Sequence, residues 1–180
     1  MFTFFDIVLI LLVTLSAFFD IKERRIPNWI SLPGILIGLF LNSVTGVAQL
    51  LHSASGLVVG IGVMIIPFAL GWMGAGDVKL FGLVGAFLGV QWLPRVFFYS
   101  TLIGGILALF SIIIRGLNFK LFPQLWLDLK LAVLSLGQVL PESLTQRPIH
   151  RRKSIPFGVA IGIGTLAAFY FDPNGRWAGF

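Results

Sequence analysis

The sequence predicts an all-α polytopic membrane protein with about six transmembrane helices and a cytoplasmic amphipathic helix. Of its 180 residues, 57% are hydrophobic and only 11% are charged, whereas soluble domains carry about 25% charged residues. The mean hydropathy of +0.98 agrees with this contrast. These values exclude a disordered chain and a soluble core, and they predict one membrane-embedded domain over residues 1–180.

Six apolar runs divide the chain into predicted spans, since about 17–25 apolar residues cross a bilayer. The spans are residues 2–19, 29–47, 55–72, 78–90, 96–114 and 155–171. Between the last two, Lys120, Gln124 and Asp128 form one polar stripe, which predicts that residues 117–140 lie as a helix in the cytoplasmic interface. A seventh span there is the alternative. Glycines that let helices approach closely are predicted at Gly56, Gly60, Gly82, Gly85 and Gly89.

Basic residues are distributed unevenly, which predicts that the N-terminus and the C-terminus both lie outside. If the first span runs inward, eleven of the thirteen Lys and Arg residues fall in the three inside loops. Only Arg95 and Arg176 lie outside, as the positive-inside rule expects. The rule accounts for the net charge of +6 without a nucleic-acid partner. A seventh span would place the basic residues of 147–153 on the wrong side.

Two acidic residues stand at the cytoplasmic ends of predicted spans. Asp20 ends the first span and Asp77 precedes the fourth. Ionisable groups cost about 2.5–3.5 kcal/mol at the centre of a membrane helix, so acids kept at this boundary indicate a use. Helix ends at one membrane face can meet, and the two carboxylates can then share a site. Asp6 is about 20 Å from Asp20 at about 1.5 Å per residue, which makes it an outer-interface residue.

Neighbouring carboxylates can divide the roles of acid and base. Like charges close together resist joint ionisation, so one carboxyl holds a proton. The ionised group can take a proton from a water that attacks a peptide carbonyl, and the protonated group can donate to the carbonyl oxygen or the leaving amine. The residues alone leave three functions open. One is an aspartic protease, and another is a small proton or ion transporter, because intramembrane acids also mark ion paths. The third is a structural or assembly subunit without catalysis, in which both aspartates would tolerate asparagine.

Residues beside Asp77 predict the shape of its loop. Gly74 and Gly76 remove side chains next to the carboxylate, which permits unusual backbone angles and the close approach of a substrate strand. Lys79 can pair with a carboxylate or a lipid phosphate, or it can be an ordinary inside-loop charge.

The linker after Asp20 carries its own signals. Arg24 and Arg25 mark the inside face. Pro27 suits the first turn of the second span, and Asn28 can bond the loop backbone.

Three short motifs fall, in order, on the predicted cytoplasmic side. The first runs from Asp20 through Pro27-Asn28, and the second is Gly74-Ala75-Gly76-Asp77-Val78-Lys79-Leu80 with its G-x-G-D pattern. The third is Ile155-Pro156-Phe157-Gly158, at the start of the last span. Together they resemble the conserved blocks of the type IV prepilin peptidase family, over about residues 1–170.

The resemblance implies an aspartic endopeptidase of the bacterial cytoplasmic membrane that needs no cofactor and no metal. Members of the family cut the basic leader from prepilins or pseudopilins at the inner edge of the membrane, so the implied partners are a prepilin and membrane lipid. Carried over by motif, Asp20 and Asp77 are the catalytic aspartates. The residues implied to bind substrate or shape the loops are Gly74, Gly76, Lys79, Pro27, Asn28, Pro156, Phe157 and Gly158.

Longer members of the family carry an insertion with paired cysteines and methylate the new N-terminus. This sequence has no cysteine, so methyltransferase activity is not predicted. The short form is similar to the peptidases that serve tight-adherence pili. Archaeal preflagellin peptidases, which are of similar size, are the alternative within the family.

Overall fold

The computed structural model describes residues 3–70, 73–115 and 157–171, and all regular elements in these ranges are helical. The helices are α1 (Phe4–Glu23), α2 (Asn28–Thr45), α3 (Val47–Ala69), α4 (Ala75–Leu88), α5 (Leu93–Arg115) and α6 (Phe157–Phe171), with a 3-10 turn at Val90–Trp92. Within the described residues, four stretches are long and apolar enough to cross a membrane, in α1, in α2, in α3 and over residues 90–111. The chain is therefore an all-α polytopic membrane protein, as predicted. The predicted interfacial helix, residues 117–140, and Pro156 lie outside the described residues.

Both ends of α1 are capped. The Thr3 hydroxyl accepts from the Asp6 N–H at 3.3 Å, and the Asp6 carboxylate accepts from the Thr3 N–H at 2.8 Å, a capping box that satisfies free backbone donors. Asp6, predicted as an interface residue, thus caps the helix. At the other end, α1 continues past its predicted limit and contains Asp20. Arg24 then ends it in the left-handed conformation (φ 52°, ψ 36°), its N–H donating to the Asp20 carbonyl at 3.0 Å.

The start of α3 lies eight residues earlier than predicted, at Val47. Hydropathy placed the boundary at Ser55 because polar residues precede it. The structure satisfies these side chains with backbone carbonyls: Ser53 donates to the carbonyl of Ala86, and Ser55 donates to that of His52 at 2.8 Å. A hydroxyl that bonds a carbonyl can remain inside an apolar helix, so the polar residues do not delay the helix.

The centre of the bundle is α4, which packs against α1, α2, α3 and α6. Its 14 residues span about 21 Å, less than the roughly 30 Å hydrocarbon core. Nearly every side chain from Asp77 to Phe87 is buried. The sequence predicted that Asp77 precedes this helix. The helix begins at Ala75, so Asp77 instead lies in its first turn. Protein, not lipid, surrounds this helix.

Close contact between α3 and α4 depends on glycine. A Cβ built on Gly56 would run into the backbone of Gly85, and one built on Gly85 would run into that of Gly56. A Cβ on Gly60 would lie 3.0 Å from the carbonyl oxygen of Phe81. The predicted small faces of these two helices are therefore confirmed. Gly89, with φ of 77°, ends α4 in a conformation that other residues rarely adopt.

Side chains of the neighbouring helices cap the far end of α4. The Asn42 amide donates to the carbonyls of Gly38, Ala86 and Phe87, at 3.0, 3.2 and 3.4 Å. The Ser53 hydroxyl adds a second donor to Ala86. The last carbonyls of a helix have no partner within it, and in lipid they would find no water. These two side chains therefore satisfy carbonyls at the end of α4.

The last described helix, α6, lies between α1 and α5 and also touches α4. The Phe157 ring fills the space beside Gly104 of α5, where a Cβ would lie 2.8 Å from a ring carbon. Farther along, Gly164 lies directly against the Ser100 backbone. These contacts hold α6 close to α5 and bring its first turn to the end of the bundle where α1 ends and α4 begins.

Candidate active site

Asp20 and Asp77 lie at the same end of the bundle. Asp20 comes from the last turn of α1 and Asp77 from the first turn of α4, and they are 6% and 8% exposed. Their carboxylates are close enough for the two charges to interact. Within the described ranges, no group of three or more His, Asp or Glu side chains is placed to hold a metal ion. The arrangement is a buried carboxylate pair, which is chemically able to act as an acid and a base.

Asp77 is held by the start of its own helix. Its Oδ2 accepts from the Gly74 N–H at 3.0 Å, and its N–H donates to the Gly74 carbonyl at 3.1 Å. Gly74 has ordinary extended backbone angles (φ −84°, ψ 155°), and a Cβ there would lie 3.6 Å from Asp77 Oδ2. Gly74 therefore does not use the unusual backbone angles that its missing side chain would permit. Its backbone, which any residue could supply, makes the contacts.

Gly76 is small for a different reason. It lies inside α4, and a Cβ on it would lie 3.0 Å from Ile26 Cβ and 3.3 Å from the Ile26 backbone nitrogen. Real Cβ atoms seldom come so near to their neighbours. The linker between α1 and α2 thus comes close to Gly76, while the predicted approach of a substrate strand stays a prediction.

Ile26 is a site residue that the sequence analysis missed. It is buried, with 7% exposure, and its Cδ1 reaches the last motif, where a Cβ on Gly158 would lie 2.9 Å away. One side chain therefore contacts Gly76 on one side and Gly158 on the other, joining all three motifs. One feature of the sequence could have indicated that Ile26 is buried: it is an isolated apolar residue in the charged stretch Lys-Glu-Arg-Arg-Ile-Pro-Asn.

The first turn of α6 faces both aspartates. The backbone N–H groups of Gly158 and Val159 are within electrostatic range of the Asp20 carboxylate, and the Gly158 N–H is also within range of Asp77. A Cβ on Gly158 would lie 2.8 Å from Asp20 Oδ2. That oxygen is buried and has no hydrogen-bond partner among the described residues. This oxygen of Asp20 is therefore free to accept a hydrogen bond.

The other predicted residues lie around the pair. Lys79 Nζ donates to Asn28 Oδ1 at 2.8 Å, which ties the first turn of α4 to that of α2. The acceptor of this bond is an amide oxygen and not a carboxylate. Pro27 is the N-cap of α2 and lies just before its first turn; its carbonyl accepts from the Ile30 N–H at 3.1 Å. Arg24, predicted as a topology marker, also places its charge within range of Asp20.

Comparison with known proteins gives a consistent result. The model of the type IV leader peptidase family matches residues 7–109. The prepilin leader peptidase/N-methyltransferase of Bacillus subtilis (strain 168) is 32% identical over 172 residues, which cover 93% of this chain and 56% of that protein. The protein of the same name from Aeromonas salmonicida (strain A449) is 27% identical over 172 residues, or 89% of this chain and 47% of that protein. The one from Neisseria gonorrhoeae is 32% identical over 116 residues, or 61% and 41%.

The matches cover most of this chain in two of the relatives, but only about half of each relative. The chain spans about half the length of the curated relatives it matches. No solved structure matches it significantly. The family model covers more than half of the chain and includes both Asp20 and Asp77. The chain therefore belongs to the type IV leader peptidase family.

Proposed function

We propose that the chain is an aspartic leader peptidase, one membrane-embedded domain that cuts the basic leader from prepilins or pseudopilins at the cytoplasmic face of the bacterial inner membrane. The observation that carries this proposal is the buried pair of Asp20 and Asp77, formed by two helices at one end of the bundle. Family membership and the names of the relatives support the peptidase class.

The pair supplies both proton transfers of peptide hydrolysis. Because the two charges repel, one carboxyl is protonated while the other is ionised. The ionised group accepts a proton from water as the water oxygen bonds to the carbonyl carbon, and the protonated group gives its proton to the carbonyl oxygen. The C–N bond then breaks: the amine leaves with the proton taken from the water, and a hydroxyl of the tetrahedral intermediate returns a proton to the other carboxylate, which restores the singly protonated pair. The carboxyls titrate as a unit, so neither residue carries a fixed role.

The position of the site suits a prepilin. Such a substrate has a basic leader that stays in water and an apolar helix that stays in the bilayer. The pair lies at helix ends, where Gly74 and Ala75 are exposed, and polar backbone at membrane depth is tolerated where water reaches it. Lys22, Arg24 and Arg25 lie at the same end, which the positive-inside rule assigns to the cytoplasm.

The test is a cleavage assay with a purified prepilin and the full chain in proteoliposomes. Asp20→Asn and Asp77→Asn should each lower kcat by about 100-fold or more, since an amide cannot exchange the proton and general acid–base catalysis contributes about 10²–10⁴. Asp6→Asn, which changes an acid at the other end of α1, should cleave like the wild type. Mass spectrometry should place the cut after a glycine, before the apolar helix.

Two results would overturn the proposal. One is full cleavage by both aspartate variants. The other is a wild-type chain that leaves prepilin intact but dissipates a proton or ion gradient across the same vesicles, which would assign the two acids to transport.

A further inference from the structure

We propose that Gly158 is a positioning residue: its missing side chain lets the Asp20 carboxylate lie against the first turn of α6, and this contact sets the placement of Asp20 relative to Asp77. The inference rests on the proposed function, because it describes how the catalytic pair is assembled. It concerns a residue that belongs to neither α1 nor α4.

A side chain at position 158 would collide with Asp20 and Ile26. A Cβ on Gly158 would lie 2.8 Å from Asp20 Oδ2, 3.1 Å from Asp20 Cγ and 2.9 Å from Ile26 Cδ1. Separations below 3.0 Å are essentially never seen for real Cβ atoms. Any side chain at this position therefore forces α6, Asp20 or Ile26 to move.

Close packing on both sides keeps α6 from moving away from Asp20. On the α5 side, the Phe157 ring lies against Gly104, and Gly164 lies against the Ser100 backbone. On the α1 side, a Cβ on Gly162 would lie 3.3 Å from the Ala17 Cβ. The helix is therefore closely packed on both sides, and protein interiors at such density do not yield freely.

The position of the Asp20 carboxylate depends on α6 more than the position of the Asp77 carboxylate does. Asp77 is anchored within its own helix by the hydrogen bond from the Gly74 N–H, at 3.0 Å. Asp20 Oδ2 has no hydrogen-bond partner among the described residues, and the N–H groups of Gly158 and Val159 act on its carboxylate from the first turn of α6. A methyl group on Gly158 therefore displaces Asp20 and leaves Asp77 in place.

A substitution at Ile26 distinguishes two possible roles of Gly158: positioning Asp20, or only making room for Ile26. Ile26→Val deletes the Cδ1 atom and so removes one of the two closest contacts of a new methyl group at position 158. If Gly158 only made room for Ile26, the Gly158→Ala/Ile26→Val double variant would recover activity. The inference predicts no recovery, because the contact with Asp20 remains.

The first measurement is kinetic. Gly158→Ala should lower kcat by about tenfold or more, since misplacement of a catalytic group by 1 Å can cost about 10²-fold, while KM stays within about twofold. The double variant with Ile26→Val should remain equally slow. Gly62→Ala is the matched control, because its Cβ meets no described atom within 4 Å, and it should behave as the wild type. Unchanged kcat in Gly158→Ala, or recovery in the double variant, would overturn the inference.

The second measurement needs no cleavage, so it separates this inference from the proposed function. Asp20→Ala removes the carboxylate that a new methyl group would meet. The fall in Tm caused by Gly158→Ala should therefore shrink by about half or more in the Asp20→Ala background, because residues in contact do not act additively. An equal fall in both backgrounds would refute the inference even if the wild type cleaves prepilin, and a reduced fall would support it even if the wild type does not.

Discussion

Gly74 and Gly76 stand two residues apart in one motif, yet they are glycine for unrelated reasons. Gly74 is an exposed N-cap with extended backbone angles, and there is room for a Cβ beside it. Gly76 is inside α4, and Ile26 occupies the space that its Cβ would need. A side chain is therefore acceptable at the first position and harmful at the second.

Substituting these two glycines tests that distinction. Gly74→Ser should keep cleavage within about threefold of wild type and should not lower Tm, because serine is a preferred N-cap and would complete a capping box with Asp77. Gly76→Ala should lower the free energy of unfolding by about 1–3 kcal/mol through overpacking against Ile26. The measurements are prepilin cleavage and thermal unfolding in detergent. Equal losses in both variants would contradict the assignment.

Single residues differ in how far the sequence reveals them. Asp20 and Asp77 were predictable because an acid at the edge of an apolar run is costly. Ile26 was marked only by its charged surroundings, because an apolar side chain reveals no partner until three separate motifs are brought together. The partner of Lys79 was open for the same reason: its distance to Asn28 is set by the packing of α2 on α4.

Among the helices, α4 depends most on its neighbours. At about 21 Å it is shorter than the roughly 30 Å hydrocarbon core, and its last carbonyls would be unsatisfied without donors from α2 and α3. Asn42 supplies donors to both Ala86 and Phe87, and Ser53 supplies a further one. The stability of α4 is therefore sensitive to side chains on helices that carry no catalytic residue.

Asn42→Leu tests this dependence. Loss of the amide leaves buried carbonyls unsatisfied, which should lower the free energy of unfolding by about 1–3 kcal/mol. The kcat measured well below Tm should stay near wild type, because Ala86 lies about 14 Å along the helix from Asp77. Thr45→Val is the control, since that hydroxyl donates within its own helix, to the Asn42 carbonyl at 2.7 Å. A large fall in kcat without a fall in stability would contradict the prediction.

The order of the helices was predictable from hydropathy, but several of their ends were not. Hydropathy averages over a window and cannot detect that the Thr3 and Asp6 side chains begin α1, or that Ser53 finds a carbonyl on α4. These ends depend on hydrogen bonds between side chains and backbone. The correction matters at Asp77, because a helical first turn fixes its carboxylate more firmly than a loop would.

At the scale of the whole molecule, the orientation in the membrane is a prediction from charge. The end of the bundle that holds both aspartates also holds Lys22, Arg24 and Arg25. The linker between α2 and α3, at the other end of α2, carries no Lys or Arg. The positive-inside rule therefore predicts that the aspartates face the cytoplasm.

Cysteine labelling can measure this orientation directly, since the sequence contains no cysteine. Glu23→Cys, at the end of α1, should react with a membrane-impermeant maleimide only from the cytoplasmic side. Val47→Cys, at the start of α3 and 74% exposed, should react only from the opposite side. Each variant should still cleave prepilin, which confirms that it is folded. The reverse pattern would place the site on the outer face.

The two aspartates differ in how they experience the bilayer. Asp20 belongs to α1, whose outer face presents Phe4, Leu11 and Phe18 to lipid, whereas Asp77 belongs to a helix enclosed by protein. When the hydrocarbon thickness changes, a lipid-facing helix tilts to reduce hydrophobic mismatch, and an enclosed helix has no lipid to match. Acyl-chain length therefore acts on one half of the pair first, and membrane composition becomes a variable of the proposed catalytic geometry.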